Sequence, residues 1–252
     1  MDKGILRFAL HDEVTDAEAL PHLIAIHGES GNGGRVGAAN TPKQYKNVLL
    51  KDCIVRESEP KIIAKLEQYV KTFVRQWETY EGSDQILGLY LYSPKKGNGK
   101  TTTAIAIMHE FIARNYIGNI KRGLNAPHQP AFFFDVNEWQ TMYSEFTRPN
   151  IPRHIAEPAA AEYYRRDKIA RTVPFLVMDD IGVREDVTDA FKMDLHRIIN
   201  HRNAQELPTV YTSNVPLSDL ERIYRDERLS DRIRDMTIQL TFTGDSKRGR
   251  RK

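Results

Sequence analysis

One eleven-residue stretch, Tyr92-Ser93-Pro94-Lys95-Lys96-Gly97-Asn98-Gly99-Lys100-Thr101-Thr102, holds residues suited to gripping a polyphosphate. An anion of that kind is held by backbone N–H groups curled around it, with small residues letting the chain approach and a helix N-terminus behind. Gly97 and Gly99 supply the permissive backbone, flanking Asn98. Lys100 brings a cation to the outer phosphates, Thr101 a hydroxyl for Mg2+, and Thr102 continues into the helix. The spacing departs from G-x-x-x-x-G-K-[S/T] at its opening, where Pro94 holds the first glycine's place, unless Ser93 takes that role in a loop one residue longer. The end that does chemistry is intact. These residues predict a site for ATP.

Three further stretches could complete it. Val173-Pro174-Phe175-Leu176-Val177-Met178-Asp179-Asp180 is an apolar strand ending in two carboxylates, and parallel sheets put their ligands beyond such ends. Asp179 is expected to hold Mg2+ opposite Thr101, and Asp180 to orient the attacking water, where many ATPases carry a glutamate. Leu207 to Asn214 reads as a strand ending in a polar amide, which would bring Asn214 to the outer phosphate. Glu227 to Arg234 is arginine-rich, and a guanidinium there could stabilise transition-state charge at a neighbouring subunit's nucleotide.

The elements that must position these groups follow from periodicity. Glu59 to Trp77 is an amphipathic helix with Pro60 in its first turn. Apolar strands are predicted over 86–92, 131–135, 175–178 and 209–212, with helices over 101–114 and 186–202 and a short β-like run over 237–242. Such alternation predicts an α/β fold with a mostly parallel sheet. A short helix from Asp12 to His27 should be interrupted by Pro21. The glycine-dense run Gly28 to Gly37 lacks both the preceding strand and the Gly-Lys-Ser/Thr ending of a phosphate loop, and reads as a flexible linker. Three parts are expected: an N-terminal extension and linker over 1–40, an ATPase domain over 41–243, and a basic disordered tail over 244–252.

Bulk composition narrows the class. The 252 residues are 40% hydrophobic and 28% charged, ordinary for a globular chain. A single cysteine, Cys53, excludes an internal disulfide and a multi-cysteine zinc site. Neither a signal peptide nor a membrane-spanning run is visible, so the cytoplasm is the expected compartment and no membrane the expected partner. The net charge of +3 is modest, but the ending Lys247-Arg248-Gly249-Arg250-Arg251-Lys252 concentrates it.

Taken in order, the motifs resemble those of the AAA+ ATPases of the DnaC/DnaI helicase-loader family, over roughly Thr41 to Phe242. Pro42 to Asp52 (P-K-Q-Y-K-N-V-L-L-K-D) is similar to the segment opening the ATPase domain of these loaders. M-D-D-I-G, I-I-N-H-R before L-P-T-V-Y-T-S-N, and R-L-S-D-R-I are similar to later blocks. The resemblance implies a three-layer αβα fold whose helical lid is reduced or absent, in keeping with only 38 residues after Asn214 (252 − 214). It implies Lys100 and Thr101 as Walker A, Asp179 and Asp180 as Walker B, Asn214 as sensor 1, and Arg232 as arginine finger with Arg228 the fallback. It implies ATP hydrolysis, stimulated by single-stranded DNA or assembly, in a self-oligomer with ATP sites between subunits, while Asp180, one methylene shorter than a glutamate, is expected to make that hydrolysis slow. Its partners would be single-stranded DNA and a hexameric replicative helicase, met during replication initiation. Between Asp135 and Val173, where such proteins grip single strands, Arg148, Arg153, Arg165, Arg166 and Lys168 stand near Tyr143, Phe146, Tyr163 and Tyr164, giving charge for phosphates and rings for stacking. An IstB-like transposition helper shares the architecture. A small-molecule P-loop kinase and a nucleotide switch that barely hydrolyses are the more distant alternatives.

Overall fold

Four pentapeptides rich in aromatic and branched side chains, G-L-Y-L-Y, A-F-F-F-D, F-L-V-M-D and T-V-Y-T-S, become strands β1 (Gly88–Tyr92), β2 (Ala131–Asp135), β3 (Phe175–Asp179) and β4 (Thr209–Ser213). They are buried along nearly their whole length, as strands covered on both faces are. With β5 (Thr237–Thr241) they make a five-stranded sheet in the order β2-β3-β4-β1-β5. The pairs β1–β4, β1–β5 and β3–β4 are parallel. In register, Tyr92 lies opposite both Ser213 and Thr241. The C-terminal ends of β1 and β4 are thereby level, and the polar residues that follow them emerge at one edge.

In this computed structural model, residues 16–77, 85–182, 188–224 and 227–247 are described. The chain divides into two compact units, Met1–Ile86 with Thr101–Phe133, and Leu87–Lys100 with Phe134–Lys252.

In the first unit, helix α1 (Asp16–His27) runs through Pro21 rather than breaking there. Pro21 is the sixth residue of the helix, so it withdraws one i→i−4 donor without ending the helix. The glycine-dense stretch after it, expected to be a flexible linker, is a closed turn. The Gly28 and Gly33 N–H groups donate back to Ile24 O and His27 O at 2.7 and 2.8 Å. Gly28 and Gly34 have φ of 73° and 57°, and a Cβ on Gly34 would lie 2.6 Å from Ile26 O, so both must be glycine. The short helix α2 (Gly34–Ala38) follows, and Arg35 ties it down by donating to Ala25 O, Ala126 O and Pro127 O at 2.9–3.0 Å.

Helix α3 (Pro60–Lys71) buries Ile62, Ile63, Leu66, Tyr69 and Val70, and its last stretch tightens into a 3-10 turn over Thr72–Trp77. Trp77 closes on helix α4 (Lys100–Lys121), where a Cβ on Gly118 would fall 2.1 Å from its ring. Its indole N–H donates to Asn119 Oδ1 at 3.3 Å, and Arg122 covers the ring at 4.4 Å. Cys53 is buried with its thiol 3.5 Å from Thr103 Oγ1, the environment of a packing residue.

The second unit carries four of the strands whole, and its helices are α5 (Val136–Thr147), α6 (Arg153–Thr172), α7 (Asp189–Ala204), α8 (Leu217–Tyr224) and α9 (Glu227–Asp235). Caps explain two starts. Asp135 accepts from the Asn137 and Glu138 N–H groups, and Thr188 from that of Phe191. Arg202 is fully buried and donates to Ala170 O, Val173 O, Pro208 O and Thr209 Oγ1. It thereby fastens the ends of α6 and α7 to the start of β4, and burial brings its guanidinium down to about 9. Among the described residues no helix is long and apolar enough to cross a membrane.

Candidate nucleotide site

Lys100 is where the loop's chemistry concentrates. Its ammonium lies 2.8 Å from Asn214 Oδ1, 3.2 Å from Lys95 O, 3.3 Å from Asn98 Oδ1 and 3.4 Å from Ser93 O. A buried ammonium needs such oxygens, and these belong to the loop itself and to Asn214, the residue that follows β4. The sequence-predicted pair Lys100 and Asn214 is therefore brought together directly. Gly97 and Gly99 have φ of 78° and 98°, left-handed values that let the loop curl. Asn98 is 2% exposed, and its Nδ2 is a buried donor with no hydrogen-bond partner. A stranded donor beside a buried cation, at a helix start, fits a polyanion.

The loop's opening shows how Pro94 is accommodated. Ser93 is buried, its N–H donates to Ser213 O at 3.2 Å, and its Oγ accepts from Lys95 N–H at 3.2 Å. The serine hydroxyl thus makes the local turn, and β4 holds its backbone. Thr101 is half-buried and Thr102 buried, both in the first turn of α4.

At the end of β3, Asp179 is buried and its Oδ1 accepts from Thr212 Oγ1 at 2.6 Å. The same hydroxyl accepts from Asp180 N–H at 3.0 Å. One side chain on β4 thus sets the position of both acids. Asp180 has φ of 57°, a conformation rare outside glycine that costs on the order of 1 kcal/mol and persists where the surroundings impose it. The chain beyond is equally fixed. Ser213 Oγ donates to Ile181 O at 2.7 Å, and Gly182 N–H donates to the Tyr224 hydroxyl at 3.1 Å. A Cβ on Gly182 would lie 2.7 Å from Leu220 Cδ2, which explains the glycine of M-D-D-I-G.

Sequence reasoning missed Thr212 and Ser213 as parts of the site. Their signal was present as two hydroxyls interrupting a buried apolar strand, where a polar side chain must find partners. Among the described residues no group of three His, Cys, Asp or Glu is placed to cage a metal ion. A divalent ion bound through one carboxylate plus substrate phosphates suits Mg2+ coordination, and Asp179 fits that use.

Arg232 lies on α9, half-buried, with Nη1 3.1 Å from His196 Nε2 on α7. Its carbonyl accepts from Asn203 Nδ2 at 3.0 Å. Arg234 pairs with Asp231, and Arg228 is exposed. The finger candidate is thus turned onto its own α7.

The candidate DNA contacts divide. Arg166 is 9% exposed and holds Glu138 at 2.8 Å and Glu162 at 2.7 Å, so it braces α6 against α5 and does not present a free cation. Arg165 also chelates Glu162, and these guanidiniums, Arg165 foremost, draw that carboxyl down to about 2. Tyr163 is fully buried, stacked on Trp139 at 4.4 Å and 3°, and it donates to Asp194 at 2.7 Å. Tyr143 and Phe146 pack on Tyr163. Tyr164, in contrast, is 56% exposed, and with Arg165 and Lys168 it lies on one outward stripe of α6; Arg148 and Arg153 are exposed where α5 ends and α6 begins.

No protein-family profile matches the chain. A replicative helicase loader of Bacillus subtilis (strain 168), DnaI, is 25% identical over 203 residues, which are 76% of this chain and 56% of that protein. The chain therefore spans little more than half of that relative's length. A crystal structure of DnaI superposes with a TM-score of 0.55 at 22% identity, covering 82% of this chain and 94% of the other. A crystal structure of the DnaC helicase loader superposes at 0.53 and 19% identity, covering 80% and 100%. In sequence and in fold, the chain is similar to the DnaC/DnaI-type AAA+ helicase loaders.

Proposed function

We propose that the protein is an ATP-dependent helicase loader, which binds single-stranded DNA and a ring-shaped replicative helicase during replication initiation. The observation that carries this reading is the 2.8 Å contact between Lys100 Nζ and Asn214 Oδ1, which couples phosphate loop to sensing strand on a loader-like fold. Lys100 exchanges its loop oxygens for the β- and γ-phosphates of ATP, and the N–H groups around Gly97 to Thr101 take the remaining charge. Asp179 and Thr101 are the residues that would hold Mg2+, which neutralises charge on the phosphates when bound. Asp180 orients the attacking water. Asn214, released from Lys100, reports whether the outer phosphate is present, because the same amide serves both partners.

Arg232 completes the site of an adjoining subunit once it leaves His196, which ties hydrolysis to assembly. The exposed stripe Tyr164, Arg165 and Lys168, with Arg148 and Arg153, offers stacking and charge to single-stranded DNA, while Arg166 serves as a brace. The test is co-purification with candidate replicative helicases, with and without ATP. ATP-dependent capture of a ring helicase supports the reading. Capture of a transposase and no helicase would transfer it to the transposition helpers.

A further inference from the structure

From Phe242 to Lys247 the chain stays beside the end of β1 and the loop that follows it. Phe242 N–H donates to Tyr92 O at 2.8 Å, Asp245 Oδ1 accepts from Lys95 Nζ at 2.7 Å, and Lys247 N–H donates to Gly97 O at 2.7 Å. Every one of these pairs is separated by 150 residues, so 242–247 accompanies 92–97 in register, as a parallel companion to the phosphate loop. The basic tail was expected to be disordered from residue 244. Its first four residues instead lie along the loop, while 248–252 fall outside the described residues.

From this we infer that the segment Thr243–Lys247 is a positioning element of the phosphate loop, acting through the backbone N–H of Lys247 on the Gly97 carbonyl. The inference rests on the nucleotide reading of the loop. Two carbonyls of the loop, those of Ser93 and Lys95, turn toward the Lys100 ammonium, whereas that of Gly97 turns toward the companion segment. The peptide following Gly97 is trans, so the Asn98 N–H points opposite to the Gly97 carbonyl. Holding the carbonyl outward therefore aims the Asn98 N–H away from the companion segment, toward the ligand side of the loop. This peptide turns on ψ of Gly97 and φ of Asn98, and Gly97, with no Cβ to hinder ψ, leaves it freer to turn than another residue would. The brace also acts on the half of the loop where Pro94 replaces the usual glycine. The ion pair between Lys95 and Asp245 is 54% and 88% exposed, so it steers the segment while the backbone bond fixes it.

Two substitutions at one position separate the backbone from the side chain. Lys247→Pro removes the N–H donor, and Lys247→Ala keeps it while removing the cation. In the full chain, affinity for a fluorescent ATP analogue should fall about three- to tenfold in Lys247→Pro, the range of one hydrogen bond's net worth. It should stay within about twofold in Lys247→Ala, and the Asn98 amide resonance should shift in Lys247→Pro only. Equal losses in both variants would assign the effect to the ammonium, and unchanged affinity in Lys247→Pro would remove the brace; either overturns the inference. Should Lys247→Pro fail to fold, Asp245→Lys replaces it. That variant, which repels Lys95, should weaken binding about twofold and speed amide exchange at Lys247, and unchanged exchange there overturns the inference. A wild-type chain that binds no ATP analogue defeats the nucleotide reading itself. Amide exchange at Lys247 then still decides the brace, since fast exchange there would show that the bond does not form.

Discussion

Replacing Thr212 by valine deletes a hydroxyl and keeps the shape, which makes it the sharpest probe of the acid pair. Thr212 is fully buried, and its Oγ1 both donates to Asp179 Oδ1 at 2.6 Å and accepts from Asp180 N–H at 3.0 Å. A hydrogen bond to a charged group contributes roughly 1.5–3 kcal/mol net, and a buried N–H left without a partner costs roughly 1–3 kcal/mol. Asp180 is only half-buried, so water recovers part of the second amount, and the expected loss is about 2–4 kcal/mol. For a chain of this size that lowers Tm by roughly 5–15 °C. The nucleotide effect should be selective. Freed of the hydroxyl, Asp179 loses its fixed rotamer, so ATP affinity should fall severalfold with Mg2+ present and little in excess EDTA. Thr212→Ser restores the hydroxyl and should restore both properties. Thermal denaturation and analogue titration with and without Mg2+ check this, and a Thr212→Val protein with wild-type Tm and wild-type Mg2+ dependence would refute the reasoning.

Lys100→Ala should abolish measurable ATP binding with little change in Tm, because its ammonium interacts with the loop and Asn214 and its removal opens no apolar cavity; unchanged affinity by titration would end the nucleotide reading. Arg232→Ala should bind ATP normally yet hydrolyse on the order of 10³-fold more slowly. Mixing it with Lys100→Ala subunits should recover part of the activity in a steady-state phosphate-release assay, and no recovery removes the shared site. His109 Nδ1–H donates to Val48 O at 2.8 Å and its Nε2 lies 3.4 Å from Thr41 Oγ1, and burial brings the imidazole down to about 4 from 6.5. Between those values the unfolded chain binds more protons than the folded one, so stability falls as pH drops from about 6.5 to about 4, by on the order of 3 kcal/mol. His109→Gln should flatten that part of a urea-denaturation series against pH.

Much of this architecture was legible because the determinants are local. Strands such as Ala131 to Asp135 and Phe175 to Asp179 are bounded apolar runs, and their ends are set by a capping aspartate or by the acids that follow. Gly97, Gly99 and Lys100 announce themselves through backbone requirements that few residues meet. What was not legible depends on partners distant in sequence. Arg166 looks like a free cation until Glu138, 28 residues earlier, is seen beside it. Tyr163 looks like a stacking platform until Trp139 and Asp194 claim both its face and its hydroxyl. The glycine run after His27 suggested freedom by composition, yet positive φ at Gly28 and Gly34 is how a tight turn is built. The companion segment along the phosphate loop was invisible for the same reason, since a basic ending carries no record of the carbonyl 150 residues away that receives its N–H.

The two tryptophans have a consequence for spectroscopy. The chain has two, and each compact unit carries one. Trp77 is half-buried under the Arg122 guanidinium, and its emission should be red-shifted relative to that of Trp139, which is wholly enclosed and stacked face to face on a tyrosine. Trp77→Phe and Trp139→Phe proteins would each leave a single fluorophore inside one unit. Each unit's melting could then be followed optically without any label, and coincident curves would mark a single cooperative transition.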